Sequence, residues 1–157
     1  MDKLQARIAE ILQRELGLLT RLEIVLGQEH EALKSRDADA LATNTEEKQK
    51  LIAALEAQGQ ERAELFKAAG LGIDKAAILS FVDAAPALRN AWDELEATLL
   101  RCQKQNQVNG MLLEKGRQQT QQLLGILLGE GNPKQTELYD SKGSTSSSFS
   151  NGRSVKV

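Results

Sequence analysis

Apolar residues in the first 33 positions recur on a helical period. Leu4, Ile11, Leu18 and Val25 fall seven apart, as do Leu12, Leu19, Leu26 and Leu33, and Ile8 and Leu22 fill the same stripe. This pattern predicts an a/d-like seam on one long helix from Lys3 to Leu33. At about 1.5 Å per residue such a helix runs roughly 45 Å, more than a small globule needs. An elongated hairpin or bundle follows. Ser35-Arg36-Asp37 breaks the pattern. Asp37 is one candidate N-cap for a second helix, because its carboxylate accepts an orphan backbone N–H. Thr43-x-x-Glu46 is another, as a capping box. Leu41, Leu51, Ile52, Leu55, Leu65 and Phe66 carry the second stripe toward Ala69, and Gly70 and Gly72 end it.

Asp74 is placed to cap a short third helix holding Ile78, Phe81 and Val82. Pro86 suits the first turn of a fourth. Leu88, Trp92, Leu95, Leu99 and Cys102 alternate by four and three. The same seam continues through Asn106, Asn109, Leu113, Gly116, Thr120, Leu123 and Leu127. Helix stops at Gly129 or Gly131, and Pro133 prevents its return. The expected fold is all-α: an elongated antiparallel hairpin or bundle of three long helices plus one short helix over residues 1–128, and a disordered tail over 129–157. In that tail seven of 29 residues are Ser and four are Gly, a composition that buries too little apolar area to offset its ordering entropy.

Composition sharpens the picture. The chain has 157 residues, 41% hydrophobic and 27% charged, so a single soluble unit with a core is expected. The net charge is -2 with signs interspersed, which argues against a nucleic-acid partner. No run approaches the roughly 20 apolar residues of a membrane span. The N-terminal MDKLQARIAE lacks a basic-then-apolar leader pattern. Cys102 is the one cysteine, so no internal disulfide forms, which fits a reducing cytosol. The expected location is cytoplasmic.

Catalytic chemistry finds no support. His30 is the single histidine, and Gly27 stands where a Glu-x-x-His metal motif would need an acid. His30 is expected to be a solvated surface residue and Cys102 a core thiol. No phosphate loop, Ser-His-Asp set or Cys-x-x-Cys is present. The expectation is a non-enzymatic protein without a cofactor or metal. Asn106 and Asn109 put amides where a seam wants leucine. They either fix register or oligomeric state, or mark a locally open seam. Gly110 and Gly116 each cost about 1 kcal/mol relative to Ala inside a helix. They either let another helix approach or are simply tolerated.

Two features point to partners. The run Leu123-Leu124-Gly125-Ile126-Leu127-Leu128 spreads five apolar residues over most of the helix circumference, where one stripe suffices for a half-buried helix. An exposed patch of this kind marks a partner site, unless a loop or a dimer mate covers it. The single tyrosine, Tyr139, sits beside Leu138 in the tail, where no core buries it. Tyr is enriched at binding hot spots, so a peptide docking motif is one reading and an idle tail residue the other.

Several stretches resemble the FlgN family of flagellar type III export chaperones for hook-associated proteins. TEEKQKLIAAL, from Thr45 to Leu55, is similar to the family's second-helix segment. NGMLLE, from Asn109 to Glu114, resembles its last-helix signature and leads into the glutamines from Gln118 to Gln122. LYDSKGST, from Leu138 to Thr145, resembles its tail motif, and the basic-apolar finish from Gly152 to Val157 is also similar. The Ser-rich stretch Ser146 to Ser150 departs from the family pattern. The resemblance implies a cytoplasmic chaperone that binds the C-terminal helical segments of hook–filament junction proteins, prevents premature assembly and delivers them to the export gate. It implies cargo contact through Leu112, Leu113, Leu123, Leu124, Ile126, Leu127 and Leu128. It implies docking to the cytoplasmic domain of the export gate through Leu138 and Tyr139. The alternative from another class is a structural coiled-coil homodimer subunit without cargo.

Overall fold

The computed structural model describes residues 2–128, except for the side chains of Thr120 and Leu123. The expected tail over 129–157 lies outside the described residues. Four helices follow in order: α1 (Asp2–Ser35), α2 (Ala38–Ala68), α3 (Lys75–Val82) and α4 (Pro86–Leu127). The all-α expectation, three long helices and one short, holds among the described residues. The chain divides into two compact units, Met1–Asn109 and Gly110–Val157, with α4 continuous through the boundary.

Two turns of the same design close α1 and α2. Arg36 takes a positive φ of 57°, and the Asp37 N–H reaches back to the Ala32 carbonyl at 3.0 Å. Gly70 takes a φ of 74°, and the Leu71 N–H reaches the Phe66 carbonyl at 2.9 Å. Each is a Schellman-type stop that occupies carbonyls left open at a helix end. Gly70 adopts the left-handed conformation without a Cβ clash, whereas Arg36 does so against the steric preference of an L-residue. Asp37 then serves twice, because its carboxylate accepts the Ala40 N–H at 3.0 Å and caps α2. This decides the open question of where the second helix begins. Thr43 lies inside α2 and donates its hydroxyl to the Asp39 carbonyl. Asp74 caps α3 in the same way, accepting the Ala77 N–H at 2.8 Å.

Cross-helix pairs fix the topology of the first unit. Along α1, Glu15, Arg21 and Glu29 meet Arg62, Glu47 and Lys48 of α2. The partner number drops from 62 at Glu15 to 48 at Glu29, so the two helices are antiparallel. Along α4, the Cys102 thiol reaches the Leu19 carbonyl and the Asn109 amide reaches the Leu26 carbonyl, both 83 residues apart in sequence. That constant offset makes α4 parallel to α1. Lys48 to Asn106 and Arg62 over Trp92 make α4 antiparallel to α2.

The core holds Ile8, Leu12, Leu19, Leu22, Val25 and Leu26 of α1, Leu51 and Phe66 of α2, and Leu88, Trp92, Leu95 and Cys102 of α4. The short α3 adds Phe81 and Val82, with the Phe81 ring 5.1 Å from that of Phe66 in a tilted arrangement. The predicted α4 seam is corrected just after Leu95. Thr98 is buried, and Leu99 is 41% exposed. The helix turns inward by three residues after Leu95 rather than by four. Thr98 is accepted there because its hydroxyl donates to the Glu94 carbonyl at 2.8 Å. Ile52, placed on the α2 stripe, is likewise exposed.

Candidate functional site

Two regions stand out, one polar and inside the first unit, the other apolar and in the second. The polar region is a cluster around Asn109, which is 2% exposed. Asn109 donates to the Leu26 carbonyl at 2.9 Å and to Glu29 Oε1 at 2.8 Å. Its Oδ1 accepts from Gln105 Nε2 at 2.9 Å. Lys48 Nζ completes the group by donating to both Glu29 oxygens and to Asn106 Oδ1. The seam reading of Asn106 is corrected here, since Asn106 is exposed and works from the edge. His30 is also not a simple solvated residue. It is half-buried, with Nδ1 3.2 Å from Asn109 Oδ1 and 3.3 Å from Gln105 Nε2.

A second buried charge lies further along α1. Glu15 pairs with Arg62, whose guanidinium sits 5.6 Å from the centre of the Trp92 ring. Burial pushes the Glu15 carboxyl above its ordinary range, and the charge and hydrogen bond of Arg62 pull it part of the way back. Burial also pushes the Cys102 thiol up. Glu23 adds to the rise and Arg101 opposes it. A thiol held protonated is a poor nucleophile. Among the described residues no group of His, Cys, Asp and Glu is arranged to hold a metal ion. The buried Asn109, Glu29 and Glu15 side chains each have a partner, as an interior requires.

The apolar region is the end of α4. The buried positions Leu88, Trp92, Leu95, Cys102 and Asn109 define one face of the helix. Continuing by four and three from Asn109 gives Leu113, Gly116, Thr120, Leu123 or Leu124, and Leu127. Here the environment reverses. Leu113 is 54% exposed, Leu124 50%, Ile126 63% and Leu127 79%. Leu128 is also exposed, in the turn where its N–H reaches the Leu124 carbonyl. Leu112 is half-buried, and Leu123 lies in α4. Met111, absent from the expected set, is exposed as well. It stands beside Leu112 and Leu113 in an otherwise polar stretch of sequence. Glu114 and Arg117 pair on this segment at 2.8 Å. A Cβ added at Gly110 or Gly116 meets nothing within 4 Å, so neither glycine makes room for a close helix within the described chain. Leu138 and Tyr139, the expected docking residues, lie outside the described residues.

Among the described residues no helix is long and apolar enough to cross a membrane. No curated protein matches this chain. A solved structure does: a flagella synthesis protein FlgN from Pseudomonas aeruginosa, 28% identical, with a TM-score of 0.62 over 68% of this chain and 86% of that one. The sequence model of the family described as FlgN protein matches residues 1–147, nearly the whole length. The chain belongs to the FlgN family.

Proposed function

We propose that this protein is a flagellar export chaperone for hook–filament junction proteins. One observation carries the reading: the apolar face that α4 buries up to Cys102 continues, in phase, as exposed Leu113, Leu124 and Leu127. Exposed leucines in phase with a core stripe are suited to a partner helix laid along them. A junction protein has a matching need, since its terminal helices must not polymerise before export. At roughly 25 cal/mol per Å2 of apolar area removed from water, a few leucines supply several kcal/mol. Ordering costs reduce that to a reversible complex, and reversibility lets the cargo leave at the gate.

Leu112, Leu113, Leu123, Leu124, Ile126, Leu127 and Leu128 form the cargo surface in this reading. Leu138 and Tyr139 engage the cytoplasmic domain of the export gate. Holding both sites on one chain raises the effective concentration of cargo at the gate. The reading assigns binding rather than catalysis to the protein, in the cytoplasm.

The test is size-exclusion chromatography with light scattering, on the protein alone and mixed with a junction protein. The expected result is a discrete complex that disappears in the Leu124→Asp/Leu127→Asp variant. A homodimer with no cargo complex, dissociated by the same changes, favours the structural coiled-coil alternative. Tyr139→Ala is expected to leave helicity and cargo binding intact while export fails. Loss of cargo affinity in that variant would overturn the docking role.

A further inference from the structure

We infer that the end of α4 is enclosed by two helices of its partner, both presenting uncharged faces. This deepens the cargo-binding reading and rests on it. The first observation is angular. Ile126 and Leu124 are both at least half exposed, and two residues apart on an α-helix they lie about 160° from each other around the axis. Leu127 falls between them and is more exposed than either. One facing helix buries a stripe roughly 100° wide, so it covers Leu127 with Leu124 or with Ile126, not all three. Two helices, as in a helical hairpin, cover the whole arc.

The second observation is electrostatic. The chain is 27% charged, yet Gln118 to Leu128 holds no charged residue in eleven positions. Gln118, Gln119, Gln121 and Gln122 flank the leucines instead. Their amides both donate and accept. A charged partner residue pressed against this surface would lose water and find no counter-charge, which is costly. The complementary surface is therefore leucine-like at its centre and uncharged at its edges.

Other occupants fit less well. A second copy in a two-fold pair brings one helix end to the other and covers one side. The chain's own residues 129–157 carry Glu130, Lys134, Glu137, Asp140, Lys142, Arg153 and Lys156. Their apolar members, Leu138, Tyr139, Phe149, Val155 and Val157, show no spacing of three or four. They offer no helical stripe.

The experiment is titration calorimetry of the full chain against the C-terminal helical segment of a junction protein from the same genome. It is run at about 50 mM and about 500 mM NaCl, where the screening length differs several-fold. Leu124→Asp and Ile126→Asp are tested singly, with circular dichroism to confirm retained helix. The expected result is a Kd that moves less than about threefold with salt and weakens at least about tenfold in each variant. Weakening in only one variant means a single seam, and a Kd that rises steeply with salt means a charged face; either overturns the inference while cargo binding stands. A free-chain dimer lost in both variants makes a second copy the occupant and overturns it too. Absence of any complex overturns it together with the chaperone reading.

Discussion

Helix α4 places the same residue type in opposite environments. Up to Cys102 its stripe of Leu88, Trp92 and Leu95 is buried against α1, α2 and α3. Past Asn109 the same face carries Leu113, Leu124 and Leu127 in water. Spacing alone does not distinguish the halves. It says which side of a helix is apolar, and only the presence of a covering element says whether that side is core or surface. The two halves should therefore answer mutation differently, the first through stability and the second through binding.

The largest expected contrast is Trp92→Ala against Leu127→Ala. Truncating a buried aromatic costs about 3–5 kcal/mol, and here it also removes the ring beneath Arg62. Truncating an exposed leucine changes stability by less than about 0.5 kcal/mol. Urea unfolding followed by circular dichroism measures both. An equal loss at the two positions would erase the distinction and make the end of α4 part of a core.

Asn109→Ala comes next, at about 1–3 kcal/mol, because it strips a buried partner from Glu29 and Gln105. This residue is the last buried position before the change of environment, and its bond to the Leu26 carbonyl sets α4 in register on α1. Unfolding midpoints for Asn109→Ala and Asn109→Leu separate the two roles. A neutral Asn109→Leu with unchanged association state would mean that the amide serves neither stability nor register.

A subtler test concerns Glu15. Its carboxyl is pushed above the ordinary glutamate range by burial, with Arg62 opposing. Only at pH values between the unfolded and folded pKa does the folded chain hold a proton that the unfolded chain has already released. The stability from this group is fully present below the unfolded value and is lost as pH rises through the folded one. Across the window just above the ordinary range, the native protein should lose stability relative to Glu15→Gln. Urea midpoints of the two proteins from about pH 4 to about pH 7 show the trend. A trend of opposite sign would mean that pairing with Arg62 outweighs the cost of burial.

Much of this architecture is written in local chemistry. The seven-residue recurrence from Leu4 to Leu33 foretells α1, and Asp74, Pro86 and Gly70 mark helix ends through capping and backbone geometry. The choice between Asp37 and Thr43 was open because both side chains suit a cap. It is decided by the Arg36 turn, whose left-handed conformation no residue pattern announces. Hydrophobicity and spacing favour Leu99 over Thr98, since the Glu94 carbonyl that satisfies the threonine hydroxyl is not visible in a residue pattern. Glu15 and Glu29 look like surface charges in sequence, since the cations that neutralise them come from α2. His30 reads as a surface residue for the same reason, its amide partners lying 75 and 79 residues away. The apolar run after Gln122 was legible as unusual, because five apolar residues in six exceed what one seam buries.

The smallest expected effect tests whether the second half of α4 behaves as an ordinary exposed helix. Gly110 lies just past Asn109, inside the helix, and a Cβ there meets nothing within 4 Å. Gly interrupts a helix mainly through its backbone entropy, so Gly110→Ala should stabilise the protein by up to about 1 kcal/mol. The gain should appear in thermal unfolding with no change in cargo affinity, because the substitution adds no bulk where the exposed leucines sit. The opposite result is equally informative. A variant that folds as well as the native chain but binds cargo poorly would mean that a partner helix approaches Gly110 closely enough to be displaced by one methyl group. In the proposed reading the cargo surface would then begin beside Asn109 rather than at Leu112.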